Sequence, residues 1–369
     1  MSGGSDHCDL EDRVDGHGAF AASVPRPVLL LARVWCTAPE GERVRVPFPP
    51  LLLERRPRRV PSAGGRPTVL NSLPEVLENH APRSPTVWGA CHGTLGELYQ
   101  GPLPSGDDSD IALVSFPVHG LTARVGFTPG AAPQERTGLR PKAAEAARLF
   151  LDHHGLAPPS GTWSHQSELR VGVGMASSTA DIVATLRCLH TYLGIPYDLD
   201  TVLRVLSSIE RADSVFLDEF ALHLSNRHRI VRRLGTALRF HTAYITEPGV
   251  VDTEAVTKTL QQFYRRRPDA YGQALTGLLD GFSARDPVAV ARASTQSAAL
   301  SQEVLPKETF ETVLAHQGRF GADGVFVAHT GCLVGYLFCR PFSGRTRSDL
   351  TAFFASLGHQ CSFAQGGFR

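Results

Sequence analysis

Leu169-Arg170-Val171-Gly172-Val173-Gly174-Met175-Ala176-Ser177-Ser178-Thr179-Ala180-Asp181 places two glycines and three hydroxyls directly before an apolar run. The spacing of that run predicts a helix over Ile182–Tyr192, stopped at Gly194-Ile195-Pro196. A glycine-rich loop that opens a helix is an anion site. Its N–H groups lack partners, the helix dipole favours negative charge, and small side chains let phosphate approach the backbone. Ser177, Ser178 and Thr179 add donors, and a hydroxyl here can also ligate Mg²⁺. The plainer reading is a turn whose Ser or Thr only caps the next helix. The stretch is not a Walker loop, because no Lys follows the second Gly. It is not the dinucleotide fingerprint either, because the third Gly is missing.

Gly174 to Ala180 resembles the Gly-x-x-Ser-Ser-x-Ala phosphate loop of the GHMP kinases. Gly-Met-Ala-Ser-Ser-Thr-Ala-Asp is closer still to one branch, the L-threonine kinases of cobalamin biosynthesis. The resemblance assigns Gly172, Gly174, Met175, Ala176, Ser177, Ser178 and Thr179 to the nucleotide. Two further stretches follow in family order. Cys91-His92-Gly93-Thr94-Leu95-Gly96-Glu97-Leu98-Tyr99-Gln100-Gly101 resembles the first motif, a turn lying against substrate and nucleotide. His92 departs from the usual Pro, and Thr94 and Val173 stand where many relatives carry a cation, so something else must supply that charge. Gly321 to Gly335, around Ala328-His329-Thr330-Gly331, resembles the third motif, which folds back beside the phosphate loop. Glu97, Gln100, His329, Thr330 and Gly331 are the substrate-binding candidates by this resemblance. A capping role for Glu97 and a plain tight hairpin at the third motif stay open.

Asp200 is expected to cap a helix that buries Val202, Leu203, Val205, Leu206 and Ile209 and delivers Glu210-Arg211-Ala212-Asp213-Ser214. If that helix persists, Glu210 and Asp213 share a face. Beside phosphate, one carboxylate can hold Mg²⁺ and the other can orient the attacking hydroxyl and take its proton. Glu210 with Ser178 is the metal candidate and Asp213 the catalytic one. The alternative pairs these acids with Arg211 or Arg187. Arg227 to Arg233 suits a solvated edge strand, from which one arginine can reach a substrate carboxylate.

The chain has 369 residues, 42% hydrophobic and 20% charged, with net charge +1. That fits a soluble protein of about two domains and offers no electrostatic argument for nucleic acid or membrane. The apolar run Val28–Ala32 is too short to span a bilayer, and the acidic start is wrong for a secretory leader, so the expected location is the cytoplasm. Seven dispersed cysteines without a C-x-x-C pair read as reduced thiols. His153-His154 is read as a solvated helix end, since adjacent residues diverge on a helix.

Residues 1–85 are Pro- and Arg-rich and read as a flexible extension, with Val28–Val34 as a short strand. Met1 and Met175 are the two methionines, which raises an upstream start codon and an extension absent from the native protein. Further expected elements are paired strands Ile111–Phe116 and Gly120–Phe127, a helix from Pro141 stopped by Gly155, and a strand Glu168–Val173. Beyond these come a strand Leu238–Ile245, helices starting at Asp252 or Thr253 and at Asp286-Pro287, strands within 321–335, and a helix around Leu350–Leu357.

The resemblance covers residues 86–340 and implies an α+β GHMP kinase fold. Residues 86–235 would form the ribosomal-protein-S5-like, ATP-binding N-terminal domain, and residues 236–369 the ferredoxin-like C-terminal domain. It implies an ATP- and Mg²⁺-dependent kinase of a small hydroxy amino acid, with L-threonine as the acceptor. Homoserine, serine or a related hydroxy amino acid is the alternative acceptor. A nucleotide-binding homologue without catalysis is the alternative of another class.

Overall fold

A computed structural model of the chain describes residues 36–37, 43–44, 85–103, 110–130 and 138–368. The expected strand Val28–Val34 and the rest of the N-terminal extension lie outside the described residues. The chain divides into two units, Met1–Val76 and Leu77–Arg369. In the first, β1 (Cys36–Thr37) pairs antiparallel with β2 (Arg43–Val44).

The second unit is built on β3 (Val87–Gly101), β4 (Ala112–Pro129), α1 (Pro141–His153), β5 (Gly161–Ser167), α2 (Ser177–Leu193), α3 (Leu199–Ser207), β6 (Phe220–Leu224) and β7 (Arg229–Gly235). It continues with β8 (Arg239–Thr246), α4 (Thr253–Tyr264), α5 (Pro268–Ala284), α6 (Pro287–Ser301), α7 (Phe310–Ala315), β9 (Gly324–Val327), β10 (Leu333–Phe338), α8 (Gly344–Ser356) and β11 (Ser362–Gly367). Its strands form one nine-stranded sheet ordered β11-β8-β10-β9-β3-β4-β6-β7, with β5 on β4. All the pairings are antiparallel, so the architecture is α+β. No helix among the described residues is long and apolar enough to cross a membrane.

The central strand is β3. Successive strand residues point to opposite faces, and β3 is buried without a break from Cys91 to Gly101, so both faces are covered. α2 and α6 pack against it. β3 meets β9 through a single pair, Glu97↔Val327, which brings the first and third motifs together. Arg229, Arg232 and Arg233 stand exposed on the edge strand β7, where charge discourages further strand addition.

Several boundaries differ from the sequence expectation for physical reasons. The expected strand pair at 111–127 is one strand, β4. Between His92 and Gly93 the partner on β4 jumps from Thr122 to Val118, so Pro117 to Gly120 lie at a bulge rather than a hairpin turn. The strand expected over Glu168–Val173 is not there; β5 ends at Ser167, and the chain then leaves the sheet. The Glu168 carboxylate holds that exit by accepting from Thr122 N at 3.2 Å and Thr122 Oγ1 at 3.3 Å. α2 starts at Ser177, five residues before the apolar run, so the three hydroxyl residues form its first turn. Asp198, not Asp200, caps α3, accepting from Asp200 N and Thr201 N. α3 ends at Ser207, so Glu210 and Asp213 reach the site on irregular chain, not on a shared helix face. Pro141, Asp286-Pro287 and Asp252 start their helices as expected. Cys91, Cys188, Cys332, Cys339 and Cys361 are free thiols.

Candidate active site

Three segments hold the phosphate loop in shape. From β3, Thr94 N donates to Met175 O at 3.1 Å and Gly96 N to Gly174 O at 3.0 Å. From the β9–β10 turn, Cys332 N donates to Val173 O at 2.9 Å, and from the approach to α4, Val251 N donates to Gly172 O at 3.1 Å. The packing leaves no room for side chains. Gly174 has φ +95°, and a Cβ there would sit 2.2 Å from Ala328 Cβ. A Cβ on Gly331 would sit 2.4 Å from Val173 O. Ala176, the N-cap of α2, holds a left-handed φ of 53°, which costs a non-glycine residue about 1–2 kcal/mol. Strain of that kind persists where the surroundings impose it, often at a working site.

The loop borders a cleft of about 510 Å³, a size suited to a small-molecule site. Gly172, Gly174, Met175, Ala176, Ser177, Ser178 and Thr179 all line it, as do Glu210 and Asp213. Of the substrate candidates, Glu97, Gln100 and Thr330 line it. His329 is bound to Glu97 and Ser297, and Gly331 abuts the loop backbone.

Glu210 forms the polar centre of the loop end. Its Oε2 accepts from Ser178 Oγ at 2.7 Å and Lys142 Nζ at 2.6 Å, and its Oε1 from Thr179 Oγ1 at 2.8 Å. Its backbone carbonyl is 2.8 Å from His228 Nε2. Lys142 was not anticipated. It follows Pro141 in the first turn of α1, 68 residues from its partner, and no local pattern marks it. It supplies a cation at a site where Thr94 and Val173 cannot. Thr94 Oγ1 donates to Gly174 O at 3.3 Å, and Val173 is buried in the core. Among the described residues no group of three His, Cys, Asp or Glu side chains could hold a metal. The site instead offers one carboxylate and one hydroxyl, the hard oxygen donors that suit Mg²⁺ bound jointly with phosphate.

Asp213 lies deeper. Ser115 Oγ donates to its Oδ1 at 3.1 Å and accepts from Ser214 N at 3.2 Å. Burial, and then the negative charge of Glu97, push the Asp213 carboxyl up to about 7, while Arg211 and the Ser115 bond oppose them and Glu210 adds to the rise. Glu97 Oε2 accepts from His329 N at 2.8 Å and stands 3.2 Å from His329 Nδ1. This capping contact and a place on the cleft wall coexist in one residue. Gln100 Nε2 donates to Tyr264 OH at 3.0 Å. Burial raises the Tyr264 hydroxyl well above its ordinary value, so it stays neutral.

The expected alternative ion pairs do not form around these acids. Glu210 pairs with Lys142, and Arg187 stands 3.6 Å from Asp218. Arg211, the residue between the two acids, lines the cleft itself.

The chain also resembles known proteins. Residues 141–219, from α1 through the phosphate loop to Glu219, match the GHMP kinases N terminal domain. L-threonine kinases of Citrobacter freundii and Salmonella typhimurium are 27% and 28% identical over 271 and 265 residues. Each alignment covers 68% of this chain, and 85% and 82% of the respective relative. Among solved structures, a homoserine kinase from Cytophaga hutchinsonii has a TM-score of 0.57 at 14% identity. That match covers 80% of this chain and 96% of the other, and at such identity it speaks for the fold alone.

Proposed function

For a chain that carries a GHMP kinase N-terminal domain and is a homologue of L-threonine kinases, we propose transfer of the γ-phosphoryl group of ATP to the side-chain hydroxyl of L-threonine, giving O-phospho-L-threonine. The domain and the homologues make the chain an ATP-dependent kinase; the acceptor and the residue roles are the proposed part. One observation carries them. A single cleft joins a strained glycine loop and a Glu210 carboxylate held by two hydroxyls and a lysine to a half-buried carboxyl, Asp213, whose pKa is raised to about 7.

The N–H groups of the first turn of α2 lack intrahelical partners and face the triphosphate, with Ser177 as a further donor. Lys142 neutralises phosphate charge as it now neutralises Glu210. Ser178 and Glu210 are the residues that would hold Mg²⁺, which would supply neutralisation of the phosphate charge. Asp213 orients the acceptor hydroxyl and receives its proton as the bond to phosphorus forms. A base whose pKa lies near the working pH combines a usable deprotonated fraction with useful proton affinity. Glu97 keeps the third motif docked through His329 and lends Asp213 its negative field.

The test is ADP release with L-threonine, L-serine, L-homoserine and non-amino alcohols under saturating MgATP. Turnover highest with L-threonine is the expected result. A higher kcat/KM for another acceptor reassigns the substrate, and ATP binding without turnover on any of them removes catalysis.

A further inference from the structure

The polar groups of the cleft are mostly committed. Glu210 is taken by Ser178, Thr179 and Lys142, Asp213 by Ser115, and Glu97 by His329. Of the buried side-chain atoms without a hydrogen-bond partner among the described residues, two belong to the cleft lining: Gln100 Oε1 and Arg211 Nε. Gln100 is fully buried, and both side chains line the cleft. Gln100 has its amide nitrogen on Tyr264 OH, which leaves the carbonyl end as a free acceptor. Arg211 makes one long contact, NH1 to Ser225 Oγ at 3.4 Å. No carboxylate pairs with it within 4.0 Å among the described residues, although four acids line the same cleft.

A buried Nε on a half-buried guanidinium and a buried carbonyl acceptor, each left without a partner, are costly unless a ligand completes them. They differ in kind. Arg211 asks for an anionic oxygen pair, which a planar guanidinium can bind bidentately. Gln100 Oε1 asks for a donor, and the Glu97 charge nearby makes a cationic donor the better match. The phosphate end already has Lys142, the hydroxyls and the start of α2. The Arg211 and Glu97 charges both act on Tyr264, whose hydroxyl holds Gln100 Nε2, which links Arg211 to Gln100. Three arginines of the β7 region are engaged elsewhere. Arg227 Nε bonds Asp110 at 2.8 Å, Arg232 NH2 bonds Ser283 Oγ at 3.2 Å, and Arg233 pairs with Glu219.

We propose that Arg211 and Gln100 form a reader for the α-amino acid zwitterion, Arg211 taking the α-carboxylate and Gln100 Oε1 the α-ammonium, so that the side-chain hydroxyl is presented to Asp213. This rests on the reading of the acceptor as a hydroxy amino acid. It adds that selectivity for that class resides in these two side chains, and that the phosphate loop has no part in it.

Calorimetry on the full chain with Mg²⁺ and a non-hydrolysable ATP analogue tests the pairing. The probes are L-threonine, L-threoninamide, which lacks the carboxylate, and 3-hydroxybutyrate, which lacks the ammonium. Wild type should bind L-threonine about tenfold or more tighter than either analogue, the scale of a hydrogen bond to a charged group. Arg211→Met should lose that factor for L-threonine and bind L-threoninamide as wild type does. Gln100→Leu should weaken L-threonine and L-threoninamide and leave 3-hydroxybutyrate unchanged. Arg211→Lys and the isosteric Gln100→Glu, checked by thermal melting, guard against misfolding and should restore part of the affinity. Nucleotide affinity should stay constant throughout. The pairing is overturned if Arg211→Met weakens the nucleotide instead, if it preserves discrimination against L-threoninamide, or if Gln100→Leu weakens 3-hydroxybutyrate. Wild type that phosphorylates only non-amino alcohols defeats the acceptor reading, and the zwitterion reader falls with it. Wild type active on L-threonine with unchanged discrimination in both variants defeats the reader alone.

Discussion

In the proposed mechanism Asp213 carries the proton transfer, and its raised pKa has a cost in stability. Its folded carboxyl, near 7, lies above the ordinary carboxylate value of about 4. The folded state therefore holds this proton more tightly than the unfolded chain. The resulting contribution is present in full below about pH 4 and is lost as pH rises through about 7. Asp213→Asn removes the charge and keeps the shape. Its kcat should fall about 10²-fold or more, the scale for a positioned acid–base group. Its melting temperature should exceed wild type at pH 8 and match it at pH 4. In wild type, kcat should climb through about pH 7 as the base ionises. A normal kcat in Asp213→Asn would remove Asp213 from the reaction. Lys142 allows a contrasting test. Its side chain is 45% exposed, so its ion pair with Glu210 adds well under about 1 kcal/mol to folding. Lys142→Met should leave the melting temperature unchanged and raise KM for ATP about tenfold, the loss of one charged contact. Glu210→Gln should instead recover part of its lost turnover at high Mg²⁺. Wild-type KM in Lys142→Met would make this lysine a surface partner only.

Two elements meet at the phosphate loop with almost no slack. The β9–β10 turn reaches it through Gly331, and β3 reaches it through Gly96, whose φ is +80°. A methyl on Gly331 would lie 2.6 Å from Gly174 Cα and 2.4 Å from Val173 O, both backbone atoms that cannot step aside. Gly331→Ala should therefore lower the melting temperature and nucleotide affinity together. Gly344→Ala, with open space at the start of α8, should change neither. Equal behaviour of the two would mean that the turn does not shape the loop. The glycines and hydroxyls of this loop were legible in the sequence because anion binding needs small residues before a helix. Its helix start was not, because Ser177, Ser178 and Thr179 are mediocre helix formers. Asp-Pro at 286–287 announced α6 because Pro at the first helical position and Asp at the cap are local physics. The Pro117-Val118-His119-Gly120 run announced a turn that a bulge in β4 absorbs, since the partner strand β3 continues past it. Lys142, Ser115 and Tyr264 carried no signal. Each matters only through a partner far along the chain, and no periodicity encodes such a meeting.

At the scale of the molecule, the site decides where the chain can be cut. The unit Leu77–Arg369 contains both hydrophobic cores and the whole nine-stranded sheet. A chain beginning at residue 77 should keep the melting temperature, KM and kcat of the full chain. The division near Gly235 expected from the sequence falls between β7 and β8, but the interactions that make the cleft cross it. Glu97 bonds His329, Gln100 bonds Tyr264 and Ser297, and the loop residue Val173 bonds Cys332. β3 also packs against α5 and α6 and pairs with β9, all later in the chain. Residues 86–235 expressed alone would expose that apolar surface and leave the Glu97 carboxylate without its partner, a loss on the order of 1–3 kcal/mol for that group alone. The fragment should therefore self-associate in analytical ultracentrifugation and fail to bind an ATP analogue. Mixing it with residues 236–369 should restore binding only if the two fragments assemble into one sheet. A monomeric 86–235 fragment that binds the nucleotide with full-length affinity would show that the first half forms the nucleotide site by itself. The bonds from Glu97, Gln100 and Val173 to the second half would then serve only the acceptor.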